Sequence, residues 1–276
     1  MRFSLVMPTL GRKDEVLLFL QSLAGQTFTD FELIVVDQNE GNDLQAMVAG
    51  FSSNFPIIYI QSDRKGLSYN RNLGIGRASG SIIAFPDDDC VYPPDTLSFV
   101  DAFFKRSAHQ ILTLNTKDQE GEGAVVNLSK TSTDITKSNF LNTGCSITIF
   151  TCHRQRSDLH FDEQLGVGAR YGSSEESEFL LSLLHKGYQG YYVADQYVYH
   201  PAKVGMLNAA KGYNYGTGMG AMFKKHIVHY RNYALIPLYL KLLVKSLGGI
   251  ILTNKRAFYY QTLKGRIAGF LDYKPA

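Results

Sequence analysis

Four short apolar runs separated by three amphipathic stretches fill the first third of the chain, and this alternation narrows the accessible folds more than any other feature. Phe3 to Met7 reads as a strand, and Lys13 to Ala24 as a helix with Val16, Leu17, Leu20 and Leu23 on one face and Gly25 at its end. Phe31 to Val36 is a buried strand ending at Asp37, Asp43 to Phe51 a helix, Ile57 to Ile60 a strand, and Leu67 to Ala78 a helix between Gly66 and Gly80. A fourth strand, Ser81 to Pro86, follows. Repeated β-α units of this length predict a largely parallel sheet with helices on both faces and right-handed crossovers. The expected class is α/β and Rossmann-like. No G-x-G-x-x-G or Walker signature follows the first strand, and Pro8-Thr9-Leu10-Gly11 is a poor pyrophosphate cradle, which disfavours dinucleotide and P-loop readings.

The fourth strand runs directly into three carboxylates, Asp87-Asp88-Asp89. Adjacent acids disfavour one another's ionisation, so a divalent cation is the economical way to hold such a cluster, and all-oxygen chemistry points to Mn2+ or Mg2+. An acidic turn leading to Pro93-Pro94 is the simpler structural reading. Open α/β sheets, however, bind ligands at the carboxyl ends of their strands, where this triplet lies.

Charge divides the chain unevenly. From Lys203 onward there are 12 Lys plus Arg and one acid, Asp272, for a net +11, whereas the preceding segment carries 16 bases and 24 acids, net −8. Tyr213, Tyr215, Tyr230, Tyr233, Tyr239, Tyr259 and Tyr260 interleave with those bases, a composition suited to an anionic membrane face. Cys90, Cys145 and Cys152 make a poor disulfide framework and fit a reducing compartment. The spacing of Cys145, Cys152, His153 and His160 is not that of a closed zinc site. Only five residues separate Met1-Arg2 from Pro8, too short an apolar stretch for a secretory signal.

Val6-Met7-Pro8-Thr9, Leu33-Ile34-Val35-Val36-Asp37, Gly66-Leu67-Ser68-Tyr69-Asn70-Arg71-Asn72-Leu73-Gly74 and Phe85-Pro86-Asp87-Asp88-Asp89, in this order and spacing, resemble the family 2 inverting glycosyltransferases of GT-A fold. The resemblance covers roughly residues 3 to 200. It implies a mainly parallel central sheet flanked by helices, to which the basic segment from 205 onward adds a C-terminal helical extension. It implies that Pro8, Thr9 and Asp37 line the base and ribose pocket and that Arg71 contacts the nucleotide. Asp87 and Asp89 would hold ribose and metal, and Asp88 takes the variable middle position. Gln38-Asn39 stand where many members carry a second acid, which leaves the nucleobase open, with a UDP-sugar favoured. The late His that completes the metal shell in related enzymes corresponds to His200.

In the second half a Gly-rich loop, Gly166 to Gly172, leads through Ser173-Ser174 into an amphipathic helix that opens Glu175-Glu176-Ser177-Glu178 and ends near Gly187. Acids in a first turn are favoured by the helix dipole alone. The resemblance makes one of them the general base that deprotonates the acceptor hydroxyl. It points to Glu176, with Glu175 as the alternative.

The expected organisation is a domain over 1–204, its nucleotide-sugar half about 1–115 and acceptor half about 116–204, followed by the extension 205–276. Ala234 to Leu252 is apolar but carries Lys241 and Lys245 four residues apart, which favours a helix in the membrane interface over a crossing one. A packed helical layer or a homodimer interface would use the same segment. The chain contains no Trp and so lacks the Gln-x-x-Arg-Trp signature of processive synthases, which favours single additions.

The resulting expectation is metal-dependent transfer of one sugar from a nucleotide-diphosphate donor to a carbohydrate or lipid-linked oligosaccharide acceptor, in surface polysaccharide assembly. The protein would be cytoplasmic and peripheral at the inner face of the membrane. A sugar nucleotidyltransferase and an inactive adaptor on the same scaffold are the alternatives. Nothing resembles a groove-reading or base-stacking module, and nucleic acid is not expected as a partner.

Overall fold

The computed structural model describes residues 1–118, 127–201 and 208–275. They form two compact units. The first comprises Met1–Lys65, Tyr69–His160 and Leu183–Lys203, and the second Gly66–Ser68, Phe161–Ser182 and Val204–Ala276. The expected boundary at 204/205 lies outside the described residues.

The first unit is built on one eight-stranded sheet: β1 (Phe3–Thr9), β2 (Phe31–Asp37), β3 (Ile57–Gln61), β4 (Ile82–Ala84), β5 (Ile111–Lys117), β6 (Thr133–Ile135), β7 (Ile149–Cys152) and β8 (Gly190–Tyr199). Their order across the sheet is β3-β2-β1-β4-β7-β5-β8-β6. Only β7 and β6 oppose the others, so the sheet is mainly parallel, as expected. Helices α1 (Asp14–Ala24), α2 (Asp43–Ala49) and α4 (Thr96–Arg106) belong wholly to this unit. Helix α3 (Leu67–Ile75) contributes its residues from Tyr69 onward.

Burial on both faces explains why β1 and β2 read as largely apolar rather than alternating segments. Phe3, Leu5 and Met7 of β1, with Phe31, Leu33 and Val35 of β2, join a core that includes Val16, Phe19, Leu20 and Leu23 of α1. Each such fully buried side chain contributes about 1.5–3 kcal/mol. The opposite pleat carries Val6 and Val36, which meet α3 at Gly74. A Cβ there would collide with Val6 Cγ1, so only glycine lets helix and sheet approach this closely. One polar cluster survives beneath α3: Ser4 Oγ donates to Glu32 Oε1 at 2.5 Å, and the Ser79 N–H and hydroxyl donate to the same oxygen at 2.7 Å. Burial alone would raise the Glu32 pKa, but these hydrogen bonds outweigh it and hold the carboxyl below its ordinary value.

Two elements are irregular. Strand β7 begins only at Ile149, because Ser146–Thr148 before it forms a single 3-10 turn in which Thr148 Oγ1 donates to the Cys145 carbonyl. Strand β8 is one ten-residue strand whose register against β5 shifts between Leu114 and Asn115, pairing Val193 with Leu114 and Tyr197 with Asn115. The extra residues form an irregularity of β-bulge type.

The second unit contains the first eight residues of α5 (Glu175–His185), then α6 (Ala209–Lys224), α7 (Ile236–Leu252) and α8 (Arg256–Asp272). Helices α6 and α8 pack backbone to backbone. Gly212, Gly216 and Gly220 recur every four residues along α6, and a Cβ on Gly216 would lie 2.9 Å from the Gly265 Cα of α8. Such stripes of small residues let helices approach far closer than Leu or Val would. Beside them a buried ionic cluster joins Glu178 of α5 to Lys225 at 2.9 Å and to His226 at 3.3 Å, with Lys225 also 2.8 Å from Asp162.

Candidate active site

Parallel strands bring their carboxyl ends to one edge of the sheet, and the first unit places most of the expected site residues there. Thr9 and Asp37 are register partners at the ends of β1 and β2, one residue beyond the pair Pro8 and Val36. Asp37 is fully buried. Its Oδ1 accepts from the Asn39 backbone N–H at 2.8 Å and from the Asn39 side chain at 2.7 Å, while the Tyr59 hydroxyl donates to Oδ2. Burial and the neighbouring carboxylate together push the Tyr59 phenol well above its ordinary pKa, so it stays a donor. A cleft opens beside Asp37, lined by Gly11, Arg12, Asn39 and Glu40 among others.

The three consecutive aspartates diverge, as successive residues in an extended turn must. Asp87 Oδ1 lies 3.0 Å from Arg71 Nη2, whose side chain is entirely buried. Asp88 turns back toward β1, where the Thr9 hydroxyl donates to it at 2.7 Å and Arg12 Nη1 lies 2.7 Å away. Asp89 is joined to Arg12 and approaches His200. Burial raises the Asp88 pKa, with Asp87 and Asp89 adding to it against Thr9 and Arg12. At Asp89 burial works the same way but His200 and Arg12 outweigh it, and the carboxyl is held below its ordinary value. Neighbouring acids are thus driven apart in pKa by their separate partners.

Asp87, Asp89 and His200 each offer one ligand atom within 4.8 Å of the others, the one such group among the described residues. Asp89 Oδ1 is buried, and His200 Nε2 stands 2.9 Å from it. His200 Nδ1 lies 2.7 Å from the Pro201 carbonyl and must donate to it, which leaves Nε2 as the ligating nitrogen. Two carboxylates and one such imidazole fit a Mn2+ or Mg2+ ion.

Arg12 was not among the expected site residues. A cation four residues past the strand-one proline is the available signal, but its partners lie 76 and 77 positions away, beyond any local pattern. Glu175 and Glu176 belong to the second unit and open α5, with Glu175 buried and Glu176 partly exposed. Ser174 precedes them with a φ of 70°, rare for a residue with a side chain, and its carbonyl accepts from the Glu178 N–H at 2.9 Å. The Ser173 hydroxyl lies 3.2 Å from the Tyr215 carbonyl of α6 and donates in that direction.

The model of glycosyl transferase family 2 matches residues 4–159. The chain belongs to that family. Among curated family 2 relatives, the poly(ribitol-phosphate) beta-N-acetylglucosaminyltransferase TarS of Staphylococcus aureus strain MW2 is 24% identical over 208 residues, 74% of this chain and 36% of TarS. The chain spans about a third of the length of the first curated relatives it matches. The structure of S. aureus TarS 1–349 in complex with UDP-GlcNAc superposes with a TM-score of 0.63 at 19% identity, covering 99% of this chain and 74% of that one. The mannosyltransferase PcManGT from Pyrobaculum calidifontis, in complex with GDP-Man and Mn2+, gives 0.68 at 14% identity over 99% and 88%. The shared fold is the GT-A fold of family 2.

Proposed function

We propose that this family 2 chain is a metal-dependent, inverting transferase that moves one sugar from a nucleoside-diphosphate sugar, a UDP-sugar in preference, to a carbohydrate acceptor. The acceptor is lipid-linked and the product serves surface polysaccharide assembly, with the enzyme peripheral at the cytoplasmic face of the membrane. The observation that carries the reading is the convergence of Asp87, Asp89 and His200 within 4.8 Å at the carboxyl edge of the sheet, beside Asp37. The UDP-GlcNAc complex of TarS supports the donor class.

Asp37, held rigid by Asn39 and Tyr59, anchors the end of β2 at the cleft that would take a nucleoside, with Pro8 and Thr9 on the neighbouring strand. Arg71 is pinned by Asp87, and its buried charge adds positive potential where a diphosphate would lie. Asp87, Asp89 and His200 would hold the ion, which when bound offsets the charge growing on the departing diphosphate. Asp88 keeps to Thr9 and Arg12 and fixes the turn that carries its neighbours. Glu176 takes the acceptor proton as the hydroxyl attacks the anomeric carbon from the face opposite the leaving group, and Glu175 is the second candidate for that role. Inversion needs no enzyme nucleophile.

The test is donor hydrolysis across a panel of nucleotide sugars with Mn2+, Mg2+ or EDTA. Slow, metal-dependent release of one nucleoside diphosphate, absent in Asp89→Ala, is the expected result. Failure to bind or hydrolyse any donor in the presence of metal would overturn the transferase reading in favour of an inactive adaptor.

A further inference from the structure

Helix α7 has two faces of different chemistry. Tyr239, Ser246 and Gly249 are buried, and this face is fastened to α8. The Tyr239 hydroxyl donates to the Arg266 carbonyl at 3.0 Å, Arg266 Nη1 donates to Ser246 Oγ at 2.7 Å and to the Leu242 carbonyl, and a Cβ on Gly249 would strike the Tyr259 ring. The other face carries Ile236, Leu240, Val244, Leu247 and Ile251. They repeat at helical spacing and are 39, 53, 65, 47 and 70% exposed.

Lys241 and Lys245, both exposed, follow Leu240 and Val244 and border this stripe along one flank. The surrounding segment from Lys203 carries a net +11. By length and composition the helix could cross a membrane: Tyr233–Leu252 has a mean hydropathy of 1.8, and only 22% of its most apolar window is buried. Crossing, however, would carry Lys241, Lys245 and the docked Arg266 into hydrocarbon, where each charge is costly to bury. Lying in the plane of the interface buries the stripe alone and lets both lysines reach the headgroups.

We infer that the Ile236-Leu240-Val244-Leu247-Ile251 face of α7 is a monotopic docking surface for an anionic lipid bilayer, with Lys241 and Lys245 reading headgroup charge. The inference rests on the membrane reading above and names the face and orientation of contact. Apolar insertion supplies binding to any fluid bilayer, and the lysines supply preference for negative lipid, which falls as salt screens it. Arg266 and Tyr239 hold the helix at a fixed rotation, so the stripe stays outward.

The experiment is cosedimentation of the full chain with vesicles of phosphatidylcholine alone and of phosphatidylcholine mixed with phosphatidylglycerol. The variants are Leu240→Ser/Val244→Ser/Leu247→Ser and Lys241→Ala/Lys245→Ala. The parent is expected to bind the mixed vesicles at least tenfold more tightly than the neutral ones and to be stripped by alkaline carbonate. The serine variant should lose both, while the alanine variant should lose only the preference. Unchanged binding by the serine variant overturns the face, carbonate resistance overturns the in-plane geometry, and a parent that ignores vesicles but forms an oligomer split by the serine variant assigns the stripe to a second copy. Thermal unfolding of each variant excludes misfolding. Donor binding measured in solution reports on the transferase reading separately.

Discussion

Val91 and Tyr199 exchange two backbone hydrogen bonds, Val91 N–H to the Tyr199 carbonyl at 2.9 Å and Tyr199 N–H to the Val91 carbonyl at 3.0 Å. This isolated antiparallel bridge ties the turn after β4 to the end of β8, two residues beyond Asp89 and one before His200. The ligand group is therefore set by main-chain pairing between segments over a hundred residues apart.

Replacing Val91 with Pro deletes one of those bonds and its donor. The variant is expected to remain folded but to bind Mn2+ at least tenfold more weakly, the scale of loss seen when groups that orient metal ligands are removed. Calorimetric titration of the donor-free protein provides the check.

Arg12 counters Asp88 and Asp89 but is itself 40% exposed along its side chain, so solvent already screens much of the pairing. Arg12→Ala is expected to cost about 1 kcal/mol in urea unfolding at neutral pH. Arg12→Lys should recover only part of it, because the lysine side chain ends one bond short of the Nη1 position that meets both carboxylates.

Glu178 carries a pKa lowered to about 2: burial would raise it, but the contacts with His226, Lys225 and Ser182 outweigh that. A depressed carboxylate stabilises the fold fully above its unfolded value near 4.5, and that contribution disappears as pH falls through about 2. Melting temperature should fall steadily from pH 5 toward pH 2. In Glu178→Gln the dependence should flatten, and removing one partner of this buried cluster should cost about 3 kcal/mol at neutral pH.

Gly216→Ala places a methyl group against the Thr262 carbonyl and the Gly265 Cα. Both obstacles are backbone, which cannot rotate away, and the expected loss is about 1–3 kcal/mol in thermal unfolding. Gly248→Ala, in open space on α7, should be neutral or slightly stabilising and serves as its control.

Glu176→Gln is expected to lower turnover roughly 100-fold or more with donor affinity unchanged. Glu175→Gln, at a buried position packed beside Gly166, should instead lower thermal stability. Single-turnover kinetics and donor titration of both variants distinguish the two roles, and the reverse pattern would make Glu175 the base.

The parallel half of the sheet is legible in the sequence because burial on two faces writes itself as apolar runs without alternation, as in Leu5–Pro8 and Leu33–Val36. Asp87 and Asp89 stand out by residue type at a strand end, His200 only through the family resemblance, and the structure brings the three within 4.8 Å. Arg12 is not, since its meaning depends on carboxylates reached only through the sheet. Nor is the packing of α6: glycine every four residues disfavours a helix by propensity, and only contact with the α8 backbone makes those glycines favourable there. The start of β7 is hidden for a local reason, because Ser146, Ile147 and Thr148 alternate like a strand while Thr148 Oγ1 closes a tight turn on Cys145.

At Ser174 the chain changes hand. A right-handed Ser174 would let α5 continue backward toward Tyr171, and Glu175 and Glu176 would become interior helical residues whose N–H groups serve carbonyls behind them. With φ at 70° the helix instead starts abruptly, and both acids stand in its first turn, at the positive end of its dipole. One backbone torsion thus works as punctuation: it decides that the two glutamates begin a helix rather than pass through one.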